Sequence, residues 1–216
     1  VTAVTALPAP YATLRIYAND GSDIDVLYHS QSETYEVYYT AGNEFGDEID
    51  LINLNRPNND VPYSLDEFSF EAYGDAVEAA SGTATLRIYA NDGAAYAGTG
   101  GTLAASKEPS TLLYTSDAIS LKNGYQTYTV ADISGVTLPS KVTWTVEFSA
   151  GATAGLVLGG TDIVGSSLND FWQKDSGGWT LYQPDDASES ADFVAKLVAQ
   201  SSLLDAKMPG SLLYTS

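Results

Sequence analysis

Apolar and polar residues alternate over short stretches along most of the chain. In Val142-Thr143-Trp144-Thr145-Val146-Glu147-Phe148 every second residue is apolar. This places Val142, Trp144, Val146 and Phe148 on one buried face of a strand, with polar residues on the other. Similar runs, rich in β-branched and aromatic residues, predict strands at Ala12–Ala18, Ile24–Tyr28, Thr34–Tyr39, Glu48–Leu54, Leu65–Tyr73, Thr83–Ala90 and Thr111–Thr115. Further strands are predicted at Ile119–Leu121, Tyr125–Asp132, Lys141–Phe148, Ala154–Leu158, Trp179–Tyr182 and Phe193–Val198. Turn clusters such as Asn19-Asp20-Gly21, Asn91-Asp92-Gly93 and Lys122-Asn123-Gly124 separate them, with Gly and Asn supplying positive φ. A 3.6-residue period is almost absent, and one short helix is predicted near Ser202–Lys207. The spacing predicts an all-β protein, an antiparallel, jelly-roll-like β-sandwich with an extra strand at each end. The Gly/Ala-rich segment Ala94–Glu108 breaks the rhythm and predicts a long surface loop.

Two repeats overlie this pattern. Ala12–Gly21 and Ala84–Gly93 both read ATLRIYANDG, at an offset of 72. Lys107–Ser116 (KEPSTLLYTS) returns as Lys207–Ser216 (KMPGSLLYTS), at an offset of 100. Unequal offsets exclude a solenoid array. In the middle of the chain the two repeated segments follow one another, which predicts that they are neighbouring strands. At the two ends they are separated. The tail strand, Leu212, Leu213 and Tyr214, could therefore pair with the head strand, Leu14, Ile16 and Tyr17, of the next molecule. Such a contact is heterologous and would propagate as a filament. Pairing of the two ends within one chain, and excision of this chain from a longer tandem protein, are the competing readings. The organisation read from the repeats is an N-terminal extension (1–23), a sandwich (24–200) and a C-terminal extension (201–216).

Composition narrows the function classes. With 28 acidic against 9 basic residues the formal net charge is −19. A field of that sign repels phosphate backbones and anionic head groups, so nucleic acid is excluded as a partner. No apolar run reaches the roughly 20 residues of a membrane helix, which predicts no membrane insertion. The chain lacks cysteine, which removes disulfides, thiolate metal sites and thiol nucleophiles. It opens on Val1, which predicts a processed, exported product.

Candidate chemistry is sparse. His29 is the single histidine, and its setting, Tyr28-His29-Ser30-Gln31-Ser32, holds no nucleophile elbow. No catalytic residue and no cofactor are predicted. Calcium has one candidate loop, with Asp20, Asp23 and Asp25, although turn chemistry explains Asn19-Asp20-Gly21 without a metal. Trp172, Trp179 and Tyr182 lie close in sequence and could stack on sugar rings, or else pack the core or its lid.

Phe45-Gly46-Asp47-Glu48-Ile49, LDEFSFEAYG (Leu65–Gly74), ATLRIYANDG followed by LLYTS, KVTWTVEF (Lys141–Phe148) and GSSLNDFWQKDSGGWTLY (Gly165–Tyr182) occur in that order. Together they make the chain resemble the secreted proteins of planctomycetes, verrucomicrobia and related bacteria that carry a PEP-CTERM sorting tail. The resemblance implies an exported β-sandwich displayed on or released from the cell surface, with no implied cofactor or substrate. The Val-Pro-Glu-Pro tail itself is absent. The leading expectation is a non-enzymatic extracellular structural protein that joins copies of itself head to tail. The alternative is a monomeric adhesive module that binds extracellular polysaccharide.

Overall fold

The computed structural model describes residues 15–17, 23–32, 35–39, 42–52, 63–75, 82–96, 106–150, 152–159, 161–183 and 191–201. In chain order the strands are β1 (Arg15–Tyr17), β2 (Asp23–Gln31), β3 (Val37–Tyr38), β4 (Glu44–Asp50), β5 (Tyr63–Gly74), β6 (Thr83–Ala90), β7 (Leu112–Thr115), β8 (Ile119–Ser120) and β9 (Gly124–Val130). They continue with β10 (Thr137–Leu138), β11 (Lys141–Phe148), β12 (Ala154–Val157), β13 (Thr161–Val164), β14 (Ser166–Ser167), β15 (Phe171–Asp175), β16 (Gly178–Tyr182) and β17 (Ala195–Ser201). No helix occurs among the described residues, and none is long and apolar enough to cross a membrane. The helix predicted near Ser202–Lys207 lies outside them.

Two antiparallel sheets pack on each other as a β-sandwich. The first runs β1-β2-β17-β5-β12-β3, with β13 beside β2 and β9 and β10 beside β5. The second runs β16-β15-β4-β11-β6-β7, with β14 beside β4 and β8 beside β6. Alternation in β11 works as expected: Val142, Trp144, Val146 and Phe148 all enter the core between the sheets. From the facing sheet Phe68, Phe70 and Phe193 meet Trp144 with ring centroids 5.2, 6.3 and 6.3 Å away. Thr143 and Thr145, on the opposite face of β11, are buried as well, so this part of the second sheet is covered on both sides.

The stretch 161–175 holds three strands that alternation does not announce. β13 pairs with β2, whereas β14 and β15 pair with β4, so the chain passes from one sheet to the other in between. Gly165 makes this corner at φ +73. A Cβ there would come within 2.7 Å of the Asp50 carbonyl oxygen and 2.9 Å of that of Leu27, so only glycine fits.

Candidate functional site

The middle copy of the repeat shows what its residues do. β6 is a central strand, between β11 on one side and β7 on the other. Its pairing with β7 sets Arg87 opposite Thr115, Ile88 opposite Tyr114 and Tyr89 opposite Leu112, so the two repeated segments are neighbours, as predicted. Arg87 meets Glu147 at 2.8 Å and Glu44 at 3.2 Å, and the Tyr89 hydroxyl donates to Glu44 at 2.7 Å. Asn91 Nδ2 donates to Glu48 and Thr143, while Asp92 accepts from the Thr111 backbone and hydroxyl.

The same residue run at the head of the chain occupies a different place. β1 pairs with β2 in its own chain, Ile16 opposite Ile24, and stands at the end of the first sheet. Among the described residues no strand pairs with its outer side. Leu14 and the tail residues Leu212, Leu213 and Tyr214 lie outside the described residues.

Of the aromatic candidates Trp172 is enclosed, whereas Trp179 is half-buried and Tyr182 is 39% exposed. β15 and β16 make a hairpin in which Trp172 turns onto the outer face of the second sheet, where it is fully buried. Tyr96, from the base of the predicted loop, packs edge-on against it at 5.3 Å. Trp179 is held between Trp172, Tyr89 and the Lys174 ammonium, at 6.4, 5.4 and 5.0 Å. Tyr182 stacks on Phe171 at 5.3 Å. This patch is a small second core, and Trp172 presents no face to a ligand. Beneath it lies Glu48, about 1% exposed, which accepts from Lys141 (2.6 Å), Asn91 (2.9 Å) and Trp172 Nε1 (3.3 Å). Three donors thus satisfy one buried carboxylate.

No family model, curated protein or solved structure matches the chain.

The tyrosine stripe divides. Tyr28 is fully buried and Tyr38 packs against Phe45, Phe171 and Phe193, whereas Tyr35 and Tyr39 are 56% and 49% exposed. Tyr35 borders a cleft of about 520 Å³ on the outward face of the first sheet, lined also by His29, Gln31, Glu67, Glu71 and Lys196. Tyr35 takes a positive φ of 55, and its carbonyl accepts from the Tyr125 hydroxyl at 2.7 Å. Burial, and then Lys196, lowers the pKa of His29, while burial raises that of Glu71. The cleft is thus polar, half-enclosed and edged by an exposed ring.

The calcium loop does not have the arrangement predicted. Asp20 lies outside the described residues, and Asp23 and Asp25 fall in β2, an extended strand paired on both sides. A different set of acids gathers inside the sandwich at the Gly165 corner. Asp47 alternates along β4 with the core residues Phe45 and Ile49 and so points between the sheets. Asp162 accepts from the Tyr28 hydroxyl at 2.9 Å and the Ser167 N–H at 2.7 Å. Asp170 sits in the turn between β14 and β15, and Asp192 in the segment entering β17, where the Gly159 N–H bonds its carbonyl.

Burial holds Asp47 well above the usual carboxylate range, with Asp192 and Asp170 adding to it. Burial, then Glu48, pushes Asp170 up to about 6; burial, then Asp162, pushes Asp192 up to about 7. An acid held above its unfolded value, about 3.9, binds protons on folding, and that contribution disappears as pH rises through the folded value. In chelating buffer the thermal midpoint is expected to fall as pH rises from about 5 to about 8. A midpoint that climbs over this window would contradict the burial of these acids.

Proposed function

We propose that this chain is a non-enzymatic extracellular structural protein that joins copies of itself head to tail through its repeated strands. The single observation that carries the reading is the contrast between two copies of one decapeptide. In β6 it is flanked on both sides, and its outer neighbour is LLYTS; in β1 it has one neighbour and an open outer side among the described residues. A second LLYTS exists at Leu212–Ser216. Transferring the β6–β7 register by the two offsets sets Arg15 opposite Thr215, Ile16 opposite Tyr214 and Tyr17 opposite Leu212. Half of the N–H and C=O groups of an edge strand point away from its partner, so an incoming strand completes a ladder. The net charge of −19 opposes accidental edge pairing, leaving sequence-matched pairing favoured. The resemblance to PEP-CTERM-sorted proteins supports export and display. Negative-stain microscopy of the full chain is expected to show filaments, and deleting residues 211–216 is expected to abolish them. Filaments that survive the deletion would sink the reading.

A second reading has one observation in its favour. The polar cleft beside Tyr35 has the size and lining of a site for a neutral sugar unit, which suits a monomeric adhesive module binding extracellular polysaccharide. It replaces the Trp172 platform. Retention on immobilised polysaccharide should drop for Tyr35→Ala, and unchanged retention removes this reading.

A further inference from the structure

Asp47 is fully buried in the core, and neither of its carboxylate oxygens makes a hydrogen bond of ordinary geometry, although the Phe193 N–H lies near enough to favour its charge. Both oxygens of the buried Asp170, and one oxygen of Asp192, likewise lack such a bond. These side chains come from three separate segments, yet they act on one another: Asp47 feels Asp192, Asp170 and Asp162, and Asp192 feels Asp162 and Asp170. Little nearby offsets the charge. The Phe193 peptide favours the ionised form of Asp47, Ser167 does so for Asp192, and Lys141 and Gln183 do so for Asp170. Lys141 is already committed to Glu48 at 2.6 Å and Asp50 at 3.3 Å.

Uncompensated buried carboxylates are among the most costly arrangements in a folded protein. They persist where the group takes up a proton or where something positive joins them. The set is all oxygen: four carboxylates, with the Tyr28 and Ser167 hydroxyls beside them and no sulfur or imidazole contact described at the corner. All-oxygen sites of this kind take hard cations. Calcium accepts 6–8 oxygens with loose geometry, while magnesium keeps several waters, for which a core-facing position such as Asp47 is poorly suited.

We propose that Asp47, Asp162, Asp170 and Asp192 form a buried calcium site at the Gly165 corner, tying the two sheets together. Asp47 contributes from β4 of the second sheet and Asp162 from β13 of the first, so one ion bridges them. Asp170 and Asp192 close it from the segments that follow. Among the described residues no three such side chains stand converged on one point, so binding draws the Asp170 and Asp192 carboxylates inward by side-chain rotation. The proposal is independent of strand exchange, since none of these residues lies in either repeat.

The test is thermal unfolding of the full chain in chelator and in roughly 5 mM calcium, a concentration above the ~1 mM dissociation constants of weak extracellular sites. At that concentration a site with a dissociation constant of about 1 mM should raise the midpoint by roughly 2–4 °C, and one of about 0.05 mM, a hundredfold excess, by roughly 5–10 °C. Equal magnesium or sodium should do much less. Asp47→Asn keeps the shape and removes one charge, so it should abolish the calcium shift while matching or exceeding the wild type in chelator. Asp192→Asn should also reduce the shift. Three results overturn the site: no calcium shift in the wild type, an undiminished shift in both variants, or loss of stability in Asp47→Asn regardless of calcium.

Discussion

Trp144→Ala is expected to destabilise the fold by about 3–5 kcal/mol, the range for emptying a buried tryptophan site. Trp144 lies mid-strand in β11, between β4 and β6, and is fully buried. Its ring meets Phe68 and Phe70 of β5 and Phe193 beside β17, so removing it opens a cavity between the sheets where no single neighbour can fill it. Its indole N–H has no partner in the core, so the substitution orphans no acceptor and the loss is one of packing. Domains of ordinary stability hold about 5–15 kcal/mol in total, so a large part of it goes. Urea unfolding followed by far-ultraviolet dichroism reads the change; a loss under about 1 kcal/mol would contradict this core.

Glu48→Ala should cost roughly 2–4 kcal/mol, through a different physics. Lys141, Asn91 and Trp172 Nε1 all donate to this one carboxylate. Removing it leaves the Trp172 N–H under the β15–β16 hairpin without this acceptor and takes one partner each from Lys141 and Asn91, which keep Asp50 and Thr143. Lys141 is 29% exposed and can turn toward water or Asp50, which keeps the expected cost below that of a fully buried pair. Glu48→Gln retains an acceptor oxygen and should lose less. The comparison of the two variants by denaturant unfolding separates hydrogen bonding from charge, and equal losses would show that the charge alone matters.

Much of the fold is written in local patterns. Thr83–Ala90 and Lys141–Phe148 form strands over the residues that alternation predicted, because each has one face against the core and both lie in the middle of the second sheet. The neighbourhood of the two repeated segments was also legible, since a short connection between antiparallel strands usually joins neighbours. The strands of 161–175 were not. They are short, broken by the Gly165 corner, and exist because β2 and β4 offer them edges from more than a hundred residues away in sequence.

The sites were harder to read than the strands. Glu44 and Glu48 face away from the main core, but the β15–β16 hairpin and Tyr96 fold over them. The same cover takes Trp172 out of reach of any ligand. Asp47 is the reverse case: it occupies an inward position between Phe45 and Ile49, where pattern rules expect an apolar residue. That single polar residue on an apolar face was the available signal for the acidic interior, and its partners Asp162, Asp170 and Asp192 arrive through tertiary folding alone. Conversely, Asp23 and Asp25 looked like loop ligands because Asn19-Asp20-Gly21 precedes them, and β2 extends back over them instead.

Strand exchange is tested most directly by a cysteine pair, because the chain has no cysteine of its own. Ile16→Cys and Tyr214→Cys place one thiol on each side of the transferred register, within reach of a disulfide if those strands pair. The ten residues between Ser201 and Leu212 extend to about 33 Å. Three strand spacings, the step from β17 past β2 and β1, need about 14 Å, so the same pair could also close within one chain. Under mild oxidation, non-reducing electrophoresis of the double variant should show a ladder of dimers, trimers and longer species that grows with protein concentration. A cross-link confined to monomers at every concentration would contradict head-to-tail assembly.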